Sequence, residues 1–216
     1  MDKRTKHKAG AGFTKDELEF FRKFKKPYDI QIFLNEIPYD AEAGTSSPKV
    51  VVHERKANCF EGALFAAASL RMLGYKPLIV DMIAHNDDDH VVAIFRHDDS
   101  YGAIAKSNTT MLRFREPVYR SLTELVMSYF DFYINTFGEK TLRSYSNLIN
   151  LSQFDKQNWM TTEASLDFIG DFLNETRHNK IVSAKQIRNL SIVDGNFVRL
   201  CFDGAVEDGV YKPEKK

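Results

Sequence analysis

Cys59 lies in Ala57-Asn58-Cys59-Phe60-Glu61-Gly62-Ala63, where an irregular polar stretch gives way to a long apolar run. Asn58 is a good N-cap, with a side-chain oxygen for the free amides of a first helical turn. Cys59 then opens the helix. A thiol there feels the positive end of the helix dipole and unpaired N–H groups, and both favour the thiolate. Downstream, His90 opens the strand-like run His90-Val91-Val92-Ala93-Ile94-Phe95. A cysteine nucleophile needs a base for its proton and an imidazolium to hold the thiolate. His90 does both if its strand crosses the mouth of the Cys59 helix. That chemistry is acyl transfer through a thioester, on a peptide or other amide substrate. The competing reading is structural, since cysteine in an apolar helix also serves as a small hydrophobe.

The elements that must position this pair follow from periodicity. Cys59 to Leu73 leaves almost no polar face, so it reads as a central, buried helix closed by Gly74. Two helices precede it, from Thr14 to about Lys25 and from Tyr28 to Ile37, and Ser47-Pro48 starts a short third. After Pro77 the pattern changes to strands over 78–83, 90–95 and 101–105. The tetrapeptide His97-Asp98-Asp99-Ser100 joins the last two as an antiparallel hairpin. Further on, the spacing predicts helices over 121–137 and 162–173, an irregular stretch over 139–160, and a strand over Phe197–Phe202 after the Asp194-Gly195 turn, with Cys201 buried in it. The fold class is α+β, a buried helix against an antiparallel sheet, with added helices at the N-terminus and in the C-terminal half.

Cys59, the alanine-rich helix ending Leu70-Arg71-Met72-Leu73-Gly74, the strand after it, and His90 opening the next strand resemble the transglutaminase-like superfamily. The resemblance covers about residues 45–110. It implies a papain-like core in which a cysteine at a helix N-terminus meets histidine and aspartate on neighbouring antiparallel strands. The chain departs from that pattern at the third member, because Ala105 stands at the aspartate position. The hairpin register offers substitutes. A turn on Asp98-Asp99 pairs Arg96 with Tyr101 and, further along, His90 with Ser107. A one-residue bulge brings Lys106 or Asn108 there instead. Ser107 or Asn108 could thus orient the imidazole without a carboxylate's charge. The oxyanion donors expected are the backbone amide of Cys59 and Asn58. In Asn86-Asp87-Asp88-Asp89, Asp89 adjoins His90 and would raise its pKa toward an ion pair with Cys59.

Bulk properties set the frame. With 216 residues, 43% of them hydrophobic, the chain can bury the core of one domain. The expected division is a flexible basic tail over 1–12, one α+β domain over 13–208 (core about 45–110, helical elaboration 111–180) and a loose tail over 209–216. A formal net charge of zero points away from nucleic acid. No apolar run reaches the ~18 residues of a membrane span. The two cysteines have no zinc spacing, so no metal and no cofactor are expected. Free thiols and a charged N-terminus suggest the cytoplasm. The sequence leaves the oligomeric state open. Two functions remain: a thiol-dependent amidase, peptidase or transglutaminase-type transferase, or a catalytically degenerate relative acting as a binding or scaffold module.

Overall fold

The computed structural model describes residues 10, 12–42 and 44–214. Most of the expected basic tail, 1–9 and 11, lies outside them, as do 215 and 216. The first three helices are α1 (Lys15–Phe21), α2 (Pro27–Glu36) and α3 (Pro48–Glu54). The central helix α4 runs Cys59–Leu73. Its start is fixed by a reciprocal capping box. The Glu61 amide donates to Asn58 Oδ1 at 2.9 Å, and the Asn58 amide donates to Glu61 Oε2 at 3.1 Å. Its end is fixed by Gly74 at φ 100°, a left-handed conformation that lets the Tyr75 amide reach back to the Leu70 carbonyl at 2.9 Å. Every residue from Glu61 to Leu70 is buried. Phe65 sits in a cluster of rings from α1 and α2, with Phe33 at 4.9 Å and Phe21 at 5.7 Å between centroids.

The sheet is antiparallel throughout its registers, in the order β4-β3-β2-β1-β5-β7, with β6 also paired to β1. The strands are β1 (Leu78–Ala84), β2 (His90–His97), β3 (Ser100–Ile104), β4 (Arg115–Tyr119), β5 (Leu142–Ser146), β6 (Ile149–Asn150) and β7 (His178–Lys180). Side chains alternate between its faces. Ile79, Val91, Ala93 and Phe95 pack under α4. Val80, Met82, Val92 and Ile94 pack against Leu125, Val126 and Tyr129 of helix α5 (Leu122–Phe130). Two buried faces explain why β2 is a nearly unbroken apolar run. The architecture is thus the expected α+β arrangement of a buried helix on an antiparallel sheet. No helix among the described residues is long and apolar enough to cross a membrane.

One detail of the sheet makes the site. The hairpin register pairs Arg96 with Tyr101 as the turn requires, but the ladder stops at Ala93 opposite Ile104. Beyond it the Gln31 side chain takes over the backbone of Ala105, donating to its carbonyl at 2.9 Å and accepting from its amide at 3.0 Å. Lys106 then buries its ammonium on the Leu34 and Ile37 carbonyls at 2.8 and 2.6 Å. Chain residues 105–107 swing toward α2 and α4, where Gly62 meets Lys106 so closely that a Cβ would collide with it. The edge at the start of β2 is left to the mouth of α4.

The second half differs from its reading as a helical elaboration. Residues 111–180 carry four strands of the sheet, β4 to β7, besides α5 and α6 (Asp167–Glu175). The stretch 139–160 is not irregular, because Leu142–Ser146 pairs with β1 through Met82 opposite Tyr145. The helix expected over 121–137 stops at Phe130. The helix expected over 162–173 is displaced to α6, while Thr162 Oγ1 accepts from the Ala164 amide instead of capping it. After α7 (Ala184–Arg188), the expected strand at Phe197–Phe202 is helix α8 (Gly195–Phe202). Asp194 is its N-cap, accepting from the Asn196 and Phe197 amides at 2.8 and 3.1 Å. The apolar spacing Phe197 to Cys201 is a helical i, i+4, and Phe197 stacks on Phe132 at 5.9 Å. Nor is the segment from 209 loose over its described part: the Glu214 backbone is hydrogen-bonded to Asn86.

Candidate active site

A cavity of about 420 Å³ opens at the rim of the sheet, and Cys59 and His90 both line it. Cys59 is half-buried at the first position of α4. Its sulfur lies against the backbone on either side of His90, donating to the Asp89 carbonyl at 3.8 Å while the Val91 and Phe60 amides bear on it. Burial pushes the thiol up to about 11, an effect the Val91 amide opposes and the Asp88 carboxylate reinforces. Desolvation at the sulfur thus works against the thiolate, and the helix mouth and its amides only partly oppose it.

His90 stands opposite Met82, on the sheet face that carries α5. Its Nε2 donates to the Leu112 carbonyl at 3.0 Å. A carbonyl only accepts, so the neutral ring carries its proton on Nε2 and leaves a lone pair on Nδ1. Nδ1 has no hydrogen-bond partner among the described residues. Burial pushes the imidazole down to about 4, with the Leu112 carbonyl opposing and the Arg115 charge assisting. The expected help from Asp89 is missing, because Asp89 Oδ1 accepts from the Ala84 amide at 2.7 Å. Burial thus favours the neutral forms of both groups, against the ion pair expected from the sequence.

The substitutes for the missing carboxylate, Ser107 and Asn108, line the same cavity, but their polar atoms bond to groups other than His90. Ser107 Oγ is buried against Thr109, at 3.2 Å from Thr109 Oγ1. Asn108 spends both side-chain atoms on the backbone of Val206. Because the chain leaves the ladder at Ala105, the register that would bring 107 or 108 to His90 is never formed. The turn Thr110–Leu112 brings a carbonyl there instead. That partner is invisible to a reading of side chains. Of the expected oxyanion donors, the Asn58 amide is taken by Glu61, and the Asn58 side chain caps α4 and donates to the Gly44 carbonyl at 2.8 Å. The Cys59 amide, first in α4, has no carbonyl to bond inside the helix.

Other groups complete the cavity. Tyr39 lines it, and its phenol is pushed up by burial and by the nearby Cys59 and Asp88. The Tyr133 hydroxyl donates to the Asp88 carbonyl at 2.7 Å and fixes the loop before β2. Asp87 accepts from Thr141 Oγ1 at 2.7 Å, and burial raises its carboxyl to about 7. Among the described residues no group of three or more histidine, cysteine and acidic side chains is placed to hold a metal ion.

No family model matches the chain. No curated protein matches it either. Among solved structures, EGTA-treated LapG of Legionella pneumophila is similar with a TM-score of 0.38 and 12% identity, over 79% of this chain and 94% of that one.

Proposed function

We propose that the protein is a thiol-dependent acyl-transfer enzyme, an amidase or peptidase or a transglutaminase-type transferase, with Cys59 as nucleophile and His90 as general base. One observation carries this reading. Cys59 and His90 line the same cavity, and the Leu112 carbonyl fixes the imidazole in the tautomer whose Nδ1 can accept a proton.

The neutral forms that burial favours define the steps. Substrate entry places a carbonyl carbon against Sγ. The thiol proton passes to His90 Nδ1 as sulfur attacks, so thiolate and imidazolium form together rather than beforehand. The Cys59 amide faces the oxygen that becomes negative. The tetrahedral adduct collapses as the Nδ1 proton goes to the departing amine, leaving a thioester on Cys59. Water or an amine then attacks with His90 again as base. The Leu112 carbonyl supports the imidazolium through its dipole, a weaker support than a carboxylate.

The test offers a reactive aryl ester or peptide thioester, quenches in acid, and weighs the peptide carrying Cys59. The expected result is an acyl adduct on Cys59, absent in C59S and slowed in H90A. An added amine such as hydroxylamine should discharge it as the hydroxamate. A second reading, a degenerate binding module, draws on the protonated thiol and on Ala105 at the carboxylate position. It is the outcome if the folded chain takes no acyl group while the urea-unfolded chain does.

A further inference from the structure

The C-terminal segment crosses this cavity. Asp208, Gly209, Val210 and Tyr211 line it together with Cys59 and His90. Two asparagines of the domain body pin the segment on either side. Asn108 Nδ2 donates to the Val206 carbonyl at 2.9 Å, and the Val206 amide donates to Asn108 Oδ1 at 2.8 Å. Asn86 Nδ2 donates to the Glu214 carbonyl at 3.1 Å, and the Glu214 amide donates to Asn86 Oδ1 at 2.8 Å. Each asparagine thus reads the N–H and C=O of a single residue, as the neighbouring strand of a sheet would. The side chains of Val206 and Glu214 are exposed, so only backbone is held. Gln31 grips Ala105 in the same way inside the core, where it ends a strand for good. At the rim the grip falls on a solvent-facing segment. Midway the segment makes a 3₁₀ turn over Glu207–Gly209, and Gly209 passes so close to the floor that a Cβ would lie 2.8 Å from Tyr39 Cε1 and 3.1 Å from Asn108 Nδ2.

We propose that Asn86 and Asn108 form a peptide-backbone clamp on the segment that crosses the Cys59 cavity, that the ligand of this groove is a polypeptide held by its backbone with a glycine-ended turn at its crossing point, and that residues 206–214 occupy it in cis as a built-in competitor. The inference deepens the acyl-transfer reading by giving its substrate class, yet the clamp is defined by binding alone. A cis segment works at an effective concentration of about millimolar. A free peptide at micromolar concentration therefore meets a closed groove until the segment is removed.

The experiment uses the chain ended after Gly204, with C59A so that no chemistry intervenes, and a fluorescein-labelled peptide of residues 204–214. Anisotropy should show saturable binding to the shortened chain and at least about tenfold weaker binding to the full chain carrying the same C59A change. A scrambled peptide that keeps its glycine in place should bind comparably, and a Gly209→Val peptide should lose about tenfold or more. No binding to a folded shortened chain, or binding of the native order only, overturns the proposal. If the shortened chain does not fold, full-length G209V decides. Its added side chain should lift the segment and speed iodoacetamide labelling of Cys59 by about tenfold or more, and an unchanged rate overturns the clamp. Peptide binding without an acyl adduct on Cys59 would leave the groove standing and remove the acyl-transfer reading. An adduct without peptide binding would do the reverse.

Discussion

Two histidines on one sheet have opposite partners. His178, on the edge strand β7, faces Asp81 with Nε2 at 2.9 Å from Oδ2, the imidazole–carboxylate contact usually sought in a catalytic site. It stands in a row with Ser146, Asp81 and Val91 on the α4 face. His90 faces only a backbone carbonyl, on the α5 face. Yet His90 lines the cavity with Cys59, and neither Asp81 nor His178 does. Burial raises the Asp81 carboxyl to about 6 despite His178, and it pushes the His90 imidazole down to about 4. The carboxylate beside a ring thus lies apart from the cavity that holds the thiol.

The largest test of that contrast is kinetic. H90A should slow acyl-adduct formation on Cys59 by about 10²–10⁴-fold, the usual share of a general base. H178A should change it by less than about threefold. The reverse order would transfer the catalytic role to the Asp81 pair.

The next test is the pH dependence of the thiol. Iodoacetamide labelling of Cys59 should keep rising beyond the ~8.5 of an ordinary thiol, toward about 11. Urea should return it to the ordinary value. An inflection below 7 in the folded chain would replace the neutral pair with an ion pair.

Stability against pH sharpens the contrast further, because the two pairs carry opposite signs. Below pH 6.5 the unfolded chain takes a proton on His90 that the folded chain refuses until about pH 4. The stability that neutral His90 allows is therefore present above 6.5 and lost as pH falls through that window, by on the order of 3 kcal/mol. H90A should flatten that part of the curve. Asp81 acts the other way. Its folded carboxyl holds a proton up to about 6, against 3.8 in the unfolded chain. Its contribution is full below 3.8 and lost as pH rises through 6. D81N should therefore gain stability over the parent between pH 4 and pH 8, by roughly 2 kcal/mol after allowing for relaxation around the pair. Thermal melts of both variants at those two pH values measure the difference, and equal shifts would show that burial treats the two pairs alike.

Much of the site was legible. Asn58 as an N-cap marked the start of α4, because its side-chain oxygen serves the free amides of the first turn. The register of the β2–β3 hairpin followed from its turn. Both readings rest on contacts a few residues apart. The assignment of α8 as a strand failed on local chemistry, since Asp194 serves a helix start as readily as a turn. The Ser107 and Asn108 assignments failed because they extended a ladder that Gln31, 74 residues away from Ala105, had already ended.

The sequence by itself determined the seat of Cys59 at a helix mouth, the buried helix, and the strand that begins with His90. Local spacing and apolar periodicity suffice for these. Only the tertiary structure decided the burial that shifts both groups toward their neutral forms, the Leu112 carbonyl as the ring's partner, and the C-terminal segment across the cavity. The reason is physical: burial, which shifts both pKa values, and backbone groups, which hydrogen-bond without regard to side-chain type, belong to the packed chain and leave no mark in the order of residues.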